Sequence, residues 1–281
     1  MNPTLTGTPA ITSLLATVTR SDIRRDPFPH IVVRDALPRE LYDALSTTMP
    51  TAEYIAERIG KPITSNERYN YMSELVLHDG TMAQVWKDFV THHSSPAFYR
   101  QFLDLFEDDL LANLPTARER TGPLRELRAG RRHRDTFATH DILLDCTAVI
   151  NSAVTGRPSA YRGPHVDKPY KLFGGLFYMR LPEDDATGGD LVLYKYRTGA
   201  HTFHASASEY GDSRFDIDPQ YVEEVTTVPY EANTLVMYPI NRFALHGVSV
   251  RGLTRHQRRF VALVGDLQHP LFDLALRREH P

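Results

Sequence analysis

From about residue 141 onward the chain consists of short apolar runs separated by turn residues, a sequence pattern that is compatible with few fold classes. The runs are rich in Val, Leu, Phe and Tyr, and Gly, Pro, Asp or Asn separates each from the next. Regularly spaced short strands of this kind are typical of an antiparallel sandwich or barrel. The runs are ILLDCTAVINSAV, KLFGGLFYMRL, DLVLYKY, NTLVMYP and RRFVALVGDL.

Residues 25–140 look different, because their apolar residues recur at helical spacing. An apolar stretch from Ile31 to Val33 predicts a strand, and Pro38 suits the first residue of the helix that follows. The helical stripes are expected to face the core, so this part is predicted to be mainly helical. The stripes are Leu41, Ala44, Leu45 and Met49; Met82, Val85, Trp86 and Phe89; and Phe98, Phe102, Leu105 and Phe106.

The two parts together predict a single domain over residues 1–281, mainly β with added α. Residues 141–270 are expected to form a double-stranded β-helix (a jelly roll, or cupin-like fold), with the helices of residues 25–140 packed on one sheet. The change from the helical to the strand pattern near residue 140 marks the passage from the helical layer to the sheets, and not necessarily a domain boundary. Residues 197–224 are predicted to be a long loop, of a length that often forms a lid or a binding loop.

Charge and cysteine content restrict the possible binding partners and the cellular compartment of the protein. The formal net charge is −3, and the arginine-rich residues 117–134 lack interleaved aromatic side chains, so we expect no nucleic-acid partner. The N-terminus lacks the features of a signal peptide, and no apolar run approaches the ~20 residues of a membrane span. The single cysteine, Cys146, excludes an intramolecular disulfide and favours a reducing compartment. We expect a cytoplasmic protein without a membrane partner, and a homodimer is left open.

The sequence GPHVDKP contains a candidate metal-binding pair, His165 and Asp167. In an extended segment residues i and i+2 project from the same face, so this imidazole and carboxylate can converge on one ion. A second histidine from a remote strand would complete a set that is associated with non-haem iron(II) oxygenases. His246 follows the expected strand NTLVMYP and is the candidate. His201 and His204 fall in a polar segment and are expected to be surface or loop residues.

A cluster of arginines separates His246 from the last apolar run. A guanidinium at this place can hold a carboxylate through two parallel hydrogen bonds. Arg258 and Arg259 begin the run RRFVALVGDL, and strand alternation points their side chains to opposite faces. Only one of these two can therefore face a pocket.

In their order along the chain, the motifs RGPHVDKP, LFYMRLPEDDATGGDLVLYKY, NTLVMYPINRFALHGVSV and RRFVALVGD resemble the iron(II)/2-oxoglutarate dioxygenases, specifically their prolyl-4-hydroxylase-like branch. The opening PFPHIVVRDALPRELYDAL is similar to the entry strand and helix of that branch. The resemblance covers roughly residues 26–50 and 140–270. Each motif alone is common, whereas the ordered combination of HxD, GGDL and HGV is specific.

The resemblance implies an enzyme that uses Fe(II), 2-oxoglutarate as cosubstrate and O2. His165, Asp167 and His246 carry over as its metal ligands and so as its catalytic centre. Family members that halogenate have a small residue in place of the carboxylate ligand. Because Asp167 is present, the resemblance disfavours halogenation here.

For the cosubstrate the resemblance implies a basic residue near the start of the last core strand. Arg258 is preferred as the partner of the far carboxylate of 2-oxoglutarate, Arg255 is second and Arg259 third. Tyr178 and Asn151, on strands that flank the metal turn, are further candidates for cosubstrate contacts, although packing explains either residue equally well.

The substrate is the least determined part of this hypothesis. A small molecule such as an amino acid or a natural-product intermediate is preferred, with hydroxylation as the default and desaturation or cyclisation as alternatives. A protein or peptide substrate, as for prolyl hydroxylases, is the second hypothesis. A non-catalytic jelly-roll binding module is the alternative from another class, and the intact metal-ligand set argues against it.

Overall fold

The structure, a computed structural model, describes residues 9–197 and 215–272. Within these residues no helix is both long enough and apolar enough to cross a bilayer. The helices of this part are α1 Arg39–Thr47, α2 Ala52–Ile59, α3 Ser73–His78, α4 Gln84–His93, α5 Pro96–Asn113 and α6 Ala117–Thr121, with short 3-10 helices at Arg20–Asp22, Leu124–Glu126 and Pro219–Tyr221. The strands are β1 Ile31–Val33, β2 Arg68–Tyr71, β3 Ala129–Arg131, β4 Ile142–Asn151, β5 His165–Val166, β6 Lys171–Tyr178, β7 Leu191–Tyr196, β8 Phe215–Asp216, β9 Val222–Val228, β10 Thr234–Pro239, β11 Leu245–Val248 and β12 Arg258–Leu267.

The strands form two sheets whose order is that of a jelly roll. The larger, here the major sheet, has the order β1-β10-β6-β12-β4-β2, and the minor sheet has the order β8-β5-β11-β7-β9. Neighbouring strands are antiparallel apart from β3, which pairs in parallel with β4. The eight strands β4 to β7 and β9 to β12 fall four into each sheet, and β7 and β9 form an antiparallel pair within the minor sheet, as a double-stranded β-helix requires. The predicted fold class is therefore confirmed.

The helices cover one face of the major sheet. Phe177 on β6 lies on that face, with its ring centroid 6.1 Å from that of Tyr42 in α1 and 6.3 Å from that of Phe89 in α4. The ring of Phe173, also on β6, lies 4.6 Å from that of Phe102 in α5. Because side chains alternate along a strand, the neighbouring positions face the minor sheet instead. The major sheet therefore separates an apolar helical layer from the space between the sheets.

The helical stripes pack as predicted, with small differences at the helix ends. All their residues are buried apart from Ala44, which is partly buried against the core. Pro38 is the residue before α1 and not its first residue, and Met49 and Met82 lie just outside α1 and α4. The start of α5 is held by Ser95, whose side chain accepts a hydrogen bond from the backbone N–H of Phe98.

The prediction of one long loop over residues 197–224 is wrong at its C-terminal end. Phe215–Asp216 pairs with the strand that carries His165, and β9 begins at Val222. These short segments have no strong strand pattern of their own, and pairing with a neighbouring strand makes them extended. Residues 198–214, which include His201 and His204, lie outside the described residues.

Candidate metal centre

His165 and His246 lie directly opposite each other on neighbouring strands of the minor sheet. β5 and β11 pair antiparallel at this position, and opposite residues of such a pair project from the same face. The two ring centroids are 4.2 Å apart. Both side chains are buried, so a ligand between them is shielded from bulk water.

Asp167 follows β5 and completes the group. Its Oδ1 lies 3.8 Å from Nε2 of His165. One candidate ligand atom from each of the three residues lies within 4.8 Å of the others. The structure thus brings the pair His165 and Asp167, which the His-x-Asp spacing singles out, together with His246, the candidate that follows NTLVMYP.

Backbone contacts set which nitrogen of each imidazole is available. Nδ1 of His165 lies 2.9 Å from the carbonyl oxygen of Gly163, and Nδ1 of His246 lies 3.0 Å from that of Ala244. A carbonyl only accepts, so each Nδ1 carries the hydrogen and each Nε2 keeps a free lone pair. Burial lowers the pKa of both histidines, which favours the neutral form that binds a metal.

Asp167 is held in its charged form by its neighbours. Burial by itself raises the pKa of this carboxyl, but the nearby positive charge, chiefly that of Lys171, outweighs it, so the pKa falls well below its ordinary value. Lys171 Nζ donates to Oδ2 of Asp167 at 3.3 Å, and Nη1 of Arg162 lies 3.9 Å from Oδ1. Two neutral imidazoles and one carboxylate are a donor set that fits Fe(II) and leaves coordination positions open.

A cavity of about 400 Å³ lies between the two sheets, and the three candidate ligands form part of its wall. The opposite wall comes from β12 and β4 of the major sheet, including Phe260, Ala262 and Asn151. A volume of this order suits a small molecule.

Arg258 reaches the same cavity from the first position of β12. Its side chain is 3% exposed; Nε donates to the carbonyl oxygen of Gly189 at 2.6 Å, and Nη2 donates to the Tyr178 hydroxyl at 3.3 Å. Gly189 has a φ of 81°, and a Cβ there would lie 3.1 Å from Cδ of Arg258. The turn at Gly189 therefore leaves room for the side chain of Arg258, and its carbonyl oxygen fixes the orientation of the guanidinium.

The other two candidate arginines do not line the cavity. Arg259 points to the opposite face, as strand alternation predicts, and donates to the carbonyl oxygen of Ser46 at the end of α1. Arg255 lies in the loop before β12 and is exposed. Among these three, only Arg258 is placed to meet a ligand in the cavity.

Asn151 and Tyr178 differ in their access to the cavity. Asn151 lies opposite Arg258 in the register of β4 and β12, is 1% exposed, and lines the cavity. Its Nδ2 has no hydrogen-bond partner among the described residues, so a ligand oxygen would satisfy it. Tyr178 lies behind Arg258 and contacts its guanidinium; burial raises the pKa of this phenol and keeps it protonated.

Several basic residues of the cavity wall are not among the site residues that the sequence predicts. Arg162 and Lys171 flank the GPHVDKP motif, so their positions beside it were the available signal. Arg68 comes from β2, a short polar edge strand far from any motif. No pattern in the sequence brings it to the metal centre.

No protein-family model matches the chain, and no curated protein matches it. Solved structures do: a prolyl 4-hydroxylase from Phytophthora capsici shares 16% identity over 91% of this chain and 64% of that one, with a TM-score of 0.47. A prolyl-4-hydroxylase from Pseudomonas putida shares 13% sequence identity over 85% of this chain and 93% of that one, with a TM-score of 0.41. The non-haem α-ketoglutarate-dependent carbocyclase SnoK from nogalamycin biosynthesis shares 9% sequence identity over 96% of this chain and 92% of that one, with a TM-score of 0.47. The chain thus spans 64% of the length of the Phytophthora capsici protein.

Proposed function

We propose that this protein is an iron(II)- and 2-oxoglutarate-dependent oxygenase that acts on a small molecule. The observation that carries the proposal is one cavity between the sheets with metal-ligand donors on one wall and Arg258 on the other. His165, Asp167 and His246 would hold the iron ion, and Arg258 would bind the far carboxylate of 2-oxoglutarate. The sequence motifs that resemble the dioxygenases support the same assignment.

Bound iron and 2-oxoglutarate would together activate O2, the oxidant, for attack on a substrate C–H bond, and 2-oxoglutarate would be oxidised to succinate and carbon dioxide. The protein's own contribution is geometry and a shielded environment. The carbonyl groups of Gly163 and Ala244 fix the two imidazoles, and Lys171 fixes the carboxylate of Asp167. The buried guanidinium of Arg258 can donate two parallel hydrogen bonds to a carboxylate, which would orient the cosubstrate.

The retained carboxylate of Asp167 supports oxygenation over halogenation, since it occupies the place that a halide would need. Hydroxylation is the proposed default, and desaturation or cyclisation of the substrate are compatible with the same centre. The cavity volume of about 400 Å³ supports a small-molecule substrate.

The proposal is tested by anaerobic titration of the protein with Fe(II) and then with 2-oxoglutarate. We expect a weak visible charge-transfer band that saturates with 2-oxoglutarate. Asp167→Ala should lose the band and most of the iron affinity, because it removes the anionic ligand. Asp185→Ala is the matched control, since the Asp185 side chain is 88% exposed. A wild-type protein that forms no band, together with unchanged iron affinity in Asp167→Ala, would refute the proposal.

A further inference from the structure

The cavity wall carries more positive charge than the proposed reaction uses. Six basic side chains line it among the described residues, against two acidic ones, Asp167 and Asp266. Iron(II) brings two positive charges and 2-oxoglutarate two negative ones, so loading the site leaves this excess unchanged. The basic residues are Arg68, Arg132, Arg162, Lys168, Lys171 and Arg258.

Three of these cations have carboxylate partners in the protein, and Lys168 has its Nζ 5.8 Å from the ring centroid of Tyr170. Arg258 has none among the described residues, but the proposed function assigns it the far carboxylate of 2-oxoglutarate. The ion pairs are Lys171–Asp167 at 3.3 Å, Arg132–Asp266 at 3.1 Å and Arg162–Asp216 at 2.8 Å.

Arg68 has neither kind of partner. Among the described residues its guanidinium donates to the amide oxygen of Asn70, with Nε and Oδ1 2.9 Å apart, and pairs with no carboxylate. Its guanidinium carbon lies 5.3 Å from the ring centroid of Phe260 and 5.7 Å from that of Tyr161. Arg68 is partly exposed, and burial, with a smaller contribution from Arg258, lowers the pKa of its guanidinium. A bound anion would offset the solvation that this cation has lost.

The register of the major sheet places a second donor beside Arg68. Asn151 on β4 pairs with Arg68 on one side and with Arg258 on the other, so the three side chains form a row on the cavity face. The unpartnered Nδ2 of Asn151 lies between the two arginines in this row. Arg258 donates a hydrogen bond to Tyr178 on β6, whereas Arg68 donates a hydrogen bond to Asn70 on its own strand, β2. The two guanidinium groups are therefore held from different strands, 5.3 Å (Arg68) and 4.7 Å (Arg258) from the ring centroid of Phe260.

We propose that the primary substrate carries a carboxylate and that Arg68 anchors it, with Asn151 as the second donor. This inference rests on the proposed function, because it assigns Arg258 to 2-oxoglutarate. An arginine and an amide side by side can meet the two oxygens of one carboxylate. Arg68 then determines specificity: it selects anionic substrates over their neutral amides and places the rest of the molecule towards the metal centre.

The test uses the whole 281-residue chain, loaded anaerobically with Fe(II) and saturating 2-oxoglutarate. Benzoate and its neutral isostere benzamide are titrated by calorimetry at constant ionic strength. The variants are Arg68→Gln, Arg68→Lys and, as a control, Arg39→Gln, since the Arg39 side chain is 84% exposed. The affinity for 2-oxoglutarate is measured separately from the visible band, so failure of the proposed function appears as a missing band in the wild type.

We expect benzoate to bind the loaded wild type at least about tenfold more tightly than benzamide, the factor that one charge-assisted hydrogen bond gives. Arg68→Gln should abolish this preference, Arg68→Lys should keep part of it, and Arg39→Gln should match the wild type. Arg68→Gln should leave the affinity for 2-oxoglutarate within about threefold. Arg68→Lys serves in its place if the glutamine variant does not fold, and then a reduced preference is expected.

Three results would overturn the assignment of Arg68. The first is a loss of 2-oxoglutarate affinity in Arg68→Gln as large as in Arg258→Gln, which would make Arg68 part of the cosubstrate clamp. The second is equal binding of benzoate and benzamide, or no binding of either, to the loaded wild type. The third is a preference for benzoate that persists unchanged in the Arg68 variants.

Discussion

The assignment of Arg258 to 2-oxoglutarate makes a quantitative prediction for Arg258→Gln. Arg258 is 3% exposed, and two of its guanidinium nitrogens are already fixed by Gly189 and Tyr178, so little ordering of the side chain is needed on binding. Removing one partner of a buried, hydrogen-bonded charge pair costs about 3 kcal/mol, which corresponds to roughly a hundredfold weaker binding. The neighbouring cations of the cavity retain some attraction for the dianion, so a loss of about thirtyfold to a hundredfold is expected.

The assay is the anaerobic 2-oxoglutarate titration of the iron-loaded protein, followed by the visible band. Arg255→Gln is the matched control: its guanidinium is exposed and screened, so its removal should change the affinity by less than about twofold. Arg259→Gln should leave the affinity unchanged as well, but it should lower the melting temperature because it breaks the contact with Ser46. An Arg258→Gln protein that is folded and binds 2-oxoglutarate within about twofold of wild type would refute the reasoning, as would a larger loss in Arg255→Gln.

Three further predictions concern the turn, the cosubstrate end of the cavity and the response to pH. Gly188→Ala should lower the melting temperature strongly, because Gly188 has a φ of 72° and a Cβ there would lie 1.9 Å from the carbonyl oxygen of Val250; an unchanged melting curve would contradict this. Tyr178→Phe should weaken 2-oxoglutarate binding by about threefold to tenfold, because it removes the hydroxyl that holds Arg258; full affinity would show that the hydroxyl has no such role. Burial lowers the pKa of His93 to about 3 in the folded protein, so between that value and its unfolded pKa near 6.5 only the unfolded chain takes up the proton. The free energy of unfolding should therefore fall on acidification through this range by about 1.4 kcal/mol per pH unit from this group, and denaturant titrations of His93→Gln should show a correspondingly shallower dependence, whereas equal slopes would count against it.

The sequence by itself determined the local features of the fold and of the metal pair. The short apolar runs specified β4, β6, β7, β10 and β12 almost to their ends, because an apolar run bounded by turn residues is a local signal. Side-chain alternation is also a local property of an extended chain, and it places His165 and Asp167 on one face and separates Arg258 from Arg259. The helical stripes likewise identified the buried face of the N-terminal helices.

Only the tertiary structure decided which distant residues meet. The pairing of β5 with β11 brings His246 opposite His165, and no local pattern encodes that register. The same is true of β2, whose four polar and aromatic residues become a strand by pairing with β4. That pairing carries Arg68 into the cavity, next to Asn151. Cross-strand register depends on how the whole sheet packs, so the sequence alone indicated the metal ligands and Arg258 but not the position of Arg68 beside Asn151.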